Sequence, residues 1–381
     1  MKYERLGNIA TYINGYPFKP KDRGEKGLPI IRIQDLTGNA YDLGFYDGQY
    51  PKRIEINDGD VLISWSASLG VYIWKRGKAL LNQHIFKVVF DKADINKLYF
   101  VYAVQYKLKE MKGKTHGATM KHIVKKDFEN TLIPFPSVDE QCRIASLLSK
   151  VAEIISDRRN QIEKLDELVK ARFVEMFGDP ISDPMKWDIY QLEECLERID
   201  NGKSFICSDK PRTGDNPAIL KLSAATYGDY RPNENKALLD ESLFVESSEV
   251  HAGDLLFTRK NTPELVGMAA YVQNTPPKLM MPDLIFRLVP NEKVNAVFLW
   301  QLINCKEFRP VIQAISSGSA KSMSNISKER LGKIKVICPP RELQDSLIPF
   351  VKWVDKSKVV VQKALDEAQT LFDSLMQEYF G

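Results

Sequence analysis

The 381-residue sequence repeats itself at long range, and no other feature restricts its fold as much. Met120, Ile123, Pro136 and Gln141 recur as Met323, Ile326, Pro339 and Gln344, each 203 residues later. The same offset carries Met176-Phe177-Gly178 onto Tyr379-Phe380-Gly381. Upstream, Asn57-Asp58-Gly59-Asp60-Val61-Leu62-Ile63-Ser64 matches Val250-His251-Ala252-Gly253-Asp254-Leu255-Leu256-Phe257, so a Gly-Asp turn precedes a hydrophobic strand in both. Leu6 matches Leu192 at an offset of 186, so insertions separate the copies there. A period near 200 residues is too long for a solenoid repeat and describes two diverged copies of one domain.

Each copy follows one internal order. Short strands and turns come first, at residues 29–33, 60–64 and 84–90 in the first copy. A helix follows, over 95–111 and over 296–315. Pro134-Phe135-Pro136 or Cys338-Pro339-Pro340 then leads into a long helix. Ser137 stands three residues before Glu140, the pattern of a capping box. Beyond it Ile144, Leu148, Val151, Ile155, Arg158, Ile162, Leu165, Val169 and Arg172 or Phe173 alternate by fours and threes, which is a coiled-coil seam. Gly178, Pro180 and Pro184 end it. Such a helix of some 40 residues is about 60 Å long at ~1.5 Å per residue. The second helix carries Leu347, Val354, Val361, Ala364 or Leu365, Ala368, Leu371 and Leu375. It starts on Pro340 without a Ser cap, and Pro349 inside it predicts a kink or a restart. Two matching seams predict that the helices pair with each other.

Lys and Arg number 54 against 50 Asp and Glu, a net charge of +4, which suits local basic patches rather than a general polycation. The five cysteines (Cys142, Cys195, Cys207, Cys305, Cys338) form no Cys-x-x-Cys, so neither a disulfide framework nor a zinc site is expected. The polar first eight residues argue against a signal peptide, and the longest apolar run, 98–104, is far short of the roughly 20 residues of a membrane span. A soluble cytoplasmic protein is expected. Gly113-Lys114-Thr115 lacks the earlier glycine of a phosphate-binding loop, because Leu108 stands in its place. The four histidines are too dispersed for a metal cluster or a nucleophilic triad. Pro282-Asp283 has no acidic-x-Lys triplet after it, and the Asn-Pro-Pro-Tyr signature of amino-methyltransferases is absent. No catalytic residue and no metal ligand is expected.

Polyanion contacts have better candidates. Between Lys107 and Lys126 the charge is overwhelmingly lysine, and Lys112, Lys114, Thr119 and Lys121 lie in a glycine-containing loop whose amides and hydroxyls can approach phosphates. The second copy places Lys321 and Ser322 in a small, hydroxylated loop at the same point. Lys19, Lys21 and Arg23, with Lys203, Lys210 and Arg212, are further candidates. Arg259-Lys260-Asn261 follows the Gly-Asp strand of the second copy, and Arg and Asn can contact guanine and adenine edges in pairs of hydrogen bonds. The first copy has Trp65-Ser66-Ala67-Ser68 there, so the two modules should read different sequences.

These runs resemble the specificity subunits of Type I restriction–modification systems over essentially the whole chain. The resemblance rests on the two Gly-Asp strands, on Leu81-Asn82-Gln83-His84, and on the junctions Pro136-Ser137-Val138-Asp139-Glu140-Gln141 and Pro339-Pro340-Arg341-Glu342-Leu343-Gln344, the latter with Leu343 in place of Glu. It implies an α+β protein: two target-recognition domains of mixed strands and helices in pseudo-symmetric tandem, each followed by a long helix, the two helices pairing as an antiparallel coiled coil. The division would be 1–136 and 181–339 for recognition and 137–180 and 340–381 for the helices. Each domain would read one half of a bipartite, asymmetric DNA site in the major groove. The helices, through Ile144, Leu148, Val151, Ile155, Ile162, Leu165, Val169, Val354, Val361, Leu371 and Leu375, would set the gap and support docking of partners. Those partners would be two methyltransferase subunits using S-adenosylmethionine and the motor-nuclease restriction subunits using ATP and Mg²⁺, together serving phage defence. This chain would hold no cofactor and do no chemistry. The alternative reading is a coiled-coil scaffold that recruits proteins and binds DNA only incidentally.

Overall fold

The computed structural model describes residues 2–38, 43–114, 123–317 and 323–381, with backbone alone at 113–114. Its organising helices are α1 (Lys97–Lys114), α2 (Val138–Phe177), α3 (Ala296–Asn304) and α4 (Arg341–Phe380). Among the described residues no helix is long and apolar enough to cross a membrane. The chain divides into two compact units, 1–160 with 362–381 and 161–361. Each unit therefore holds the start of one long helix and the end of the other.

In the first unit β1 (Thr11–Asn14), β2 (Val61–Ser64), β3 (Gly70–Ile73) and β4 (Ile85–Val89) form an antiparallel sheet in the order β1-β4-β2-β3. Side chains alternate across a strand, and here both faces are covered. Val61 and Ile63 pack with Tyr99, Phe100 and Val104 of α1, whereas Leu62 packs with Ile30, Ile31, Leu80 and Leu81. The latter belong to a smaller sheet containing Leu28–Ile31 and Ala79–Leu81, paired in parallel. Burial on both faces explains why 61–63 reads as a continuous apolar run rather than an alternating one.

The second unit repeats the plan. β5 (Leu196–Asn201), β6 (Leu255–Thr258), β7 (Ala269–Tyr271) and β8 (Ile285–Pro290) are ordered β5-β8-β6-β7. Leu255 and Phe257 face Phe298 and Leu302 of α3, and Leu256 faces Ala218, Leu220 and Leu279 of a three-stranded sheet. The helix expected over 296–315 is two helices, α3 and Arg309–Ala314. Pro310 stands at the start of the second, where its missing N–H does no harm, and the Arg309 guanidinium ties the new turn to the carbonyls of Val266 and Gly267.

The junction motif proves to be a buried amide clamp. Gln141 accepts from the Asn96 backbone N–H at 2.9 Å and donates to the Pro136 carbonyl at 3.0 Å. Gln344 accepts from the Asn295 N–H at 3.0 Å and donates to Pro339 at 2.7 Å. Asn96 and Asn295 in turn cap α1 and α3 through the N–H groups of Tyr99 and Phe298. Each long helix is thereby fixed to the short helix of its own unit. Ser137 caps α2 through the Glu140 N–H at 3.4 Å, but the capping box is not closed: Glu140 turns outward to Arg143.

The long helices pair, as the seams predict, and run antiparallel, as the resemblance implies. In the first unit Ile144 and Leu148 share a core with Phe372, Met376 and Phe380, and Arg159 reaches Gln369. In the second, Val169 and Phe173 share a core with Leu347, Val351 and Val354, and Asp166 pairs with Lys358. Val151 and Ile155 are buried; Ile162, Leu165, Val361 and Leu375 are half-buried. Leu371 corrects the expected seam, being 51% exposed. The heptad passes through Lys358, a cation where an apolar residue belongs, and that break hides the true phase, which continues through Phe372 and Leu375. The restart expected as one outcome at Pro349 does not occur: α4 runs as a single helix through it. Pro349 is exposed, and having no N–H it leaves the Asp345 carbonyl without its helical partner.

Candidate nucleic-acid interface

Antiparallel order brings particular loops together. In the first unit Asn14 lies opposite Phe86, Ser64 opposite Ile85, and Ser64 opposite Gly70. The loops after β1, after β2 and before β4 thus leave the same end of the sheet. In the second unit Asn201 opposite Phe286 and Thr258 opposite Ile285 gather the loops after β5, after β6 and before β8 in the same way.

Glycine makes this end close. A Cβ on Gly15 would lie 2.0 Å from the Asn82 carbonyl oxygen, and one on Gly202 would lie 2.1 Å from that of Pro282. With no side chain, the backbone approaches near enough for Gly15 and Tyr16 to donate to Ile85 and Leu81, and for Lys203 to donate to Met281. The pair has a signal in the sequence: Asn14-Gly15 and Asn201-Gly202 repeat at offset 187, beside the 186 of Leu6 and Leu192.

The Gly-Asp motif lies at the other end and is structural. Gly59 and Gly253 adopt φ of 87° and 98°. Asp60 accepts from the Asn57 N–H and pairs with Lys87 of β4 at 2.9 Å; Asp254 accepts from the His251 N–H and pairs with Arg287 of β8 at 3.0 Å. Burial pushes the Asp254 carboxyl above its ordinary range, opposed by the His251 hydrogen bond and by Arg287.

The sequence candidates divide accordingly. Lys19, Lys21, Arg23 and Lys203 are exposed on or just beyond the loops after β1 and β5. Lys112 is exposed on the last turn of α1. The Lys114 side chain, Thr119, Lys121, Lys321 and Ser322 lie outside the described residues. Lys260 is half-buried, 3.9 Å from Asp283. Two candidates need correction. The Arg212 side chain is 7% exposed and its guanidinium donates to the carbonyls of Asn216 and Pro277, so it ties a loop down. Asn261 is 7% exposed, donates to Thr226 and accepts from the Thr262 N–H, which leaves its amide closed to a base edge.

At Ile123 and Ile326 the chain returns to this sheet end in both units. The Ile123 N–H donates to the Trp65 carbonyl at 3.0 Å, and that of Ile326 to the Arg259 carbonyl at 2.8 Å. Trp65 stacks on Phe86 with centroids 5.6 Å apart, and the Arg259 guanidinium lies over Phe286 at 4.9 Å.

Comparison with known proteins agrees with this duplicated plan. Residues 1–164 match the Type I restriction modification DNA specificity domain. The Type I restriction enzyme EcoBI specificity subunit of Escherichia coli is 22% identical, over 98% of this chain and 84% of its own length. The crystal structure of a Type I restriction-modification S subunit from M. genitalium superposes over 100% of this chain and 96% of its own, at 14% identity and a TM-score of 0.56. A structure described as the basis of complex assembly and conformational transition of the Type I system gives 0.53 at 16% identity, over 99% of this chain and 97% of its own. With its motifs in order, its module present twice and its sequence aligned almost from end to end with such a subunit, the chain is similar to the specificity subunits of Type I restriction–modification enzymes.

Proposed function

We propose that each unit reads one half of a bipartite, asymmetric site in double-stranded DNA with the loops gathered at the end of its main sheet. The observation that carries this reading is the duplicated sheet end: the same close-packed glycine, the same returning chain and exposed cations, with different side chains at the position that follows β2 and β6. The functional division is 1–136 and 181–339 for reading and 137–180 and 340–381 for spacing. Phosphates are contacted by Lys19, Lys21, Arg23, Lys112, Lys203 and Lys260 and, on sequence grounds, by Lys114, Thr119, Lys121, Lys321 and Ser322. The helices set the gap and dock two methyltransferase subunits and the restriction subunits. Trp353, Val359 and Val360, exposed on α4, offer such partners an apolar face. S-adenosylmethionine, ATP and Mg²⁺ belong to those partners, and the assembly works in the cytoplasm.

Co-expression with the methyltransferase partner and mapping of methylated adenines tests the reading. A bipartite motif is expected; a continuous one rejects it. Lengthening the α2 and α4 seams together should widen the gap and leave both half-sequences unchanged. Alanine at Lys203 or Lys260 should weaken binding to all duplexes and lower the salt slope by about one unit per contact.

A further inference from the structure

We propose that Arg259 is a base-reading residue of the second unit, directed at a guanine edge, and that Trp65 denies the first unit that contact. This rests on the reading under Proposed function and names the residue behind it. The two positions are structurally equivalent. Trp65 follows β2, donates its N–H to the His84 carbonyl and accepts from Ile123; Arg259 follows β6, donates to the Leu284 carbonyl and accepts from Ile326. Both side chains lie on the phenylalanine at the second position of the neighbouring strand, Phe86 or Phe286.

Their polar needs differ. Trp65 has a single indole N–H, and it donates to Asn14. A guanidinium has five donors. Among the described residues the Arg259 guanidinium meets one hydrogen-bond acceptor, Asn325 Oδ1 at 3.3 Å, while its Nε is buried without a partner. Among those residues no carboxylate neutralises it; Asp283 on the adjoining loop is engaged by Lys260 and Ser204. Stacking on Phe286 eases the charge and fixes the plane of the fork, but supplies no acceptor. A half-buried, planar, pre-oriented fork with unmet donors fits a ligand that presents two acceptors in a plane, as guanine does with O6 and N7. A phosphate offers acceptors too. The equivalent site in the first unit, however, carries an uncharged ring, so the position is not part of a cationic surface common to both units.

The test selects duplexes from a randomised pool with the complex of this chain and its methyltransferase partner, for the unaltered chain, R259A and R259K. The unaltered complex should demand guanine at one fixed position of one half-site. R259A should lose that preference by roughly 10- to 100-fold, with the other half-site and the gap unchanged. R259K keeps the charge without the fork and should lose most of the preference; it also carries the test if R259A fails to fold. Equal weakening on every sequence with a shallower salt slope would make Arg259 a phosphate contact and overturn the proposal. Unchanged selection would overturn it as well. If the unaltered complex selects no bipartite site, the reading of the whole chain fails instead.

Discussion

Unit one closes its Gly-Asp turn with Asp60 on Lys87, and unit two closes the same turn with Asp254 on Arg287. Gln141 and Gln344 make the same two kinds of hydrogen bond, and Gly15 and Gly202 admit the same close approach. At these places the chemistry is either identical or exchanged for an equivalent charge. At the sheet end beyond them, Trp65 stands against Arg259, an aromatic ring against a cation. The contrast separates two kinds of demand. A turn or a helix junction has internal partners that must be satisfied, so few side chains will serve. If the loops after β2 and β6 face DNA, as proposed, they answer to that ligand, and two half-sites of different sequence ask for different side chains.

The largest expected effect tests whether the units are independent cores. Phe177 is packed on Phe298 in the second unit and Phe380 on Tyr99 in the first, both fully buried. F177A should destabilise the second unit and F380A the first, each by about 4 kcal/mol. Hydrogen exchange resolved along the chain would show it; loss of protection in the wrong unit would dissolve the division. Next come the ion pairs. Asp254 and Arg287 side chains are 16% and 10% exposed, against 25% and 18% for Asp60 and Lys87. D254A should therefore cost about 3 kcal/mol and D60A about 1 kcal/mol, read by chemical denaturation. Because the raised Asp254 carboxyl keeps a proton in the folded unit that the unfolded chain has already released, stability should fall as pH rises through that acidic window. D254N should flatten that slope. Q141L and Q344L should each cost about 2 kcal/mol through unsatisfied backbone groups, and unequal costs would mean the junctions are not equivalent. The smallest effect belongs to L371A, below about 0.5 kcal/mol in thermal unfolding, because that side chain is exposed.

Much of this architecture could be read from the residues, because heptads and duplicated motifs are periodic signals that survive divergence. The seam from Ile144 to Val169 is such a signal. Leu371 was misplaced because Lys358 interrupts the pattern with a cation whose partner, Asp166, lies on the other helix. The Gly-Asp motif was visible as a turn, but its charge partners on β4 and β8 are about thirty residues away and became identifiable only once strands paired. Basic candidates were the least legible. A sequence does not distinguish Lys203, which reaches solvent, from Arg212, whose donors are consumed by carbonyls 65 residues off, at Pro277, as well as nearby. Asn261 failed as a base reader for the same reason, its amide being committed to Thr226.

The exchange of helix ends between units has a temporal side. The first unit contains residues 1–160 but its core is completed by Phe372, Met376 and Phe380. On a ribosome those residues emerge some two hundred positions after the rest of their unit, when every residue of the second unit, 161–361, has already been made. The unit begun first is therefore the one finished last, and its apolar groove beside Ile144 and Leu148 stays open throughout. During that interval the end of a long helix from a neighbouring nascent chain would fit the same groove, so crowding on polysomes should favour exchanged dimers, whereas dilute refolding should favour monomers.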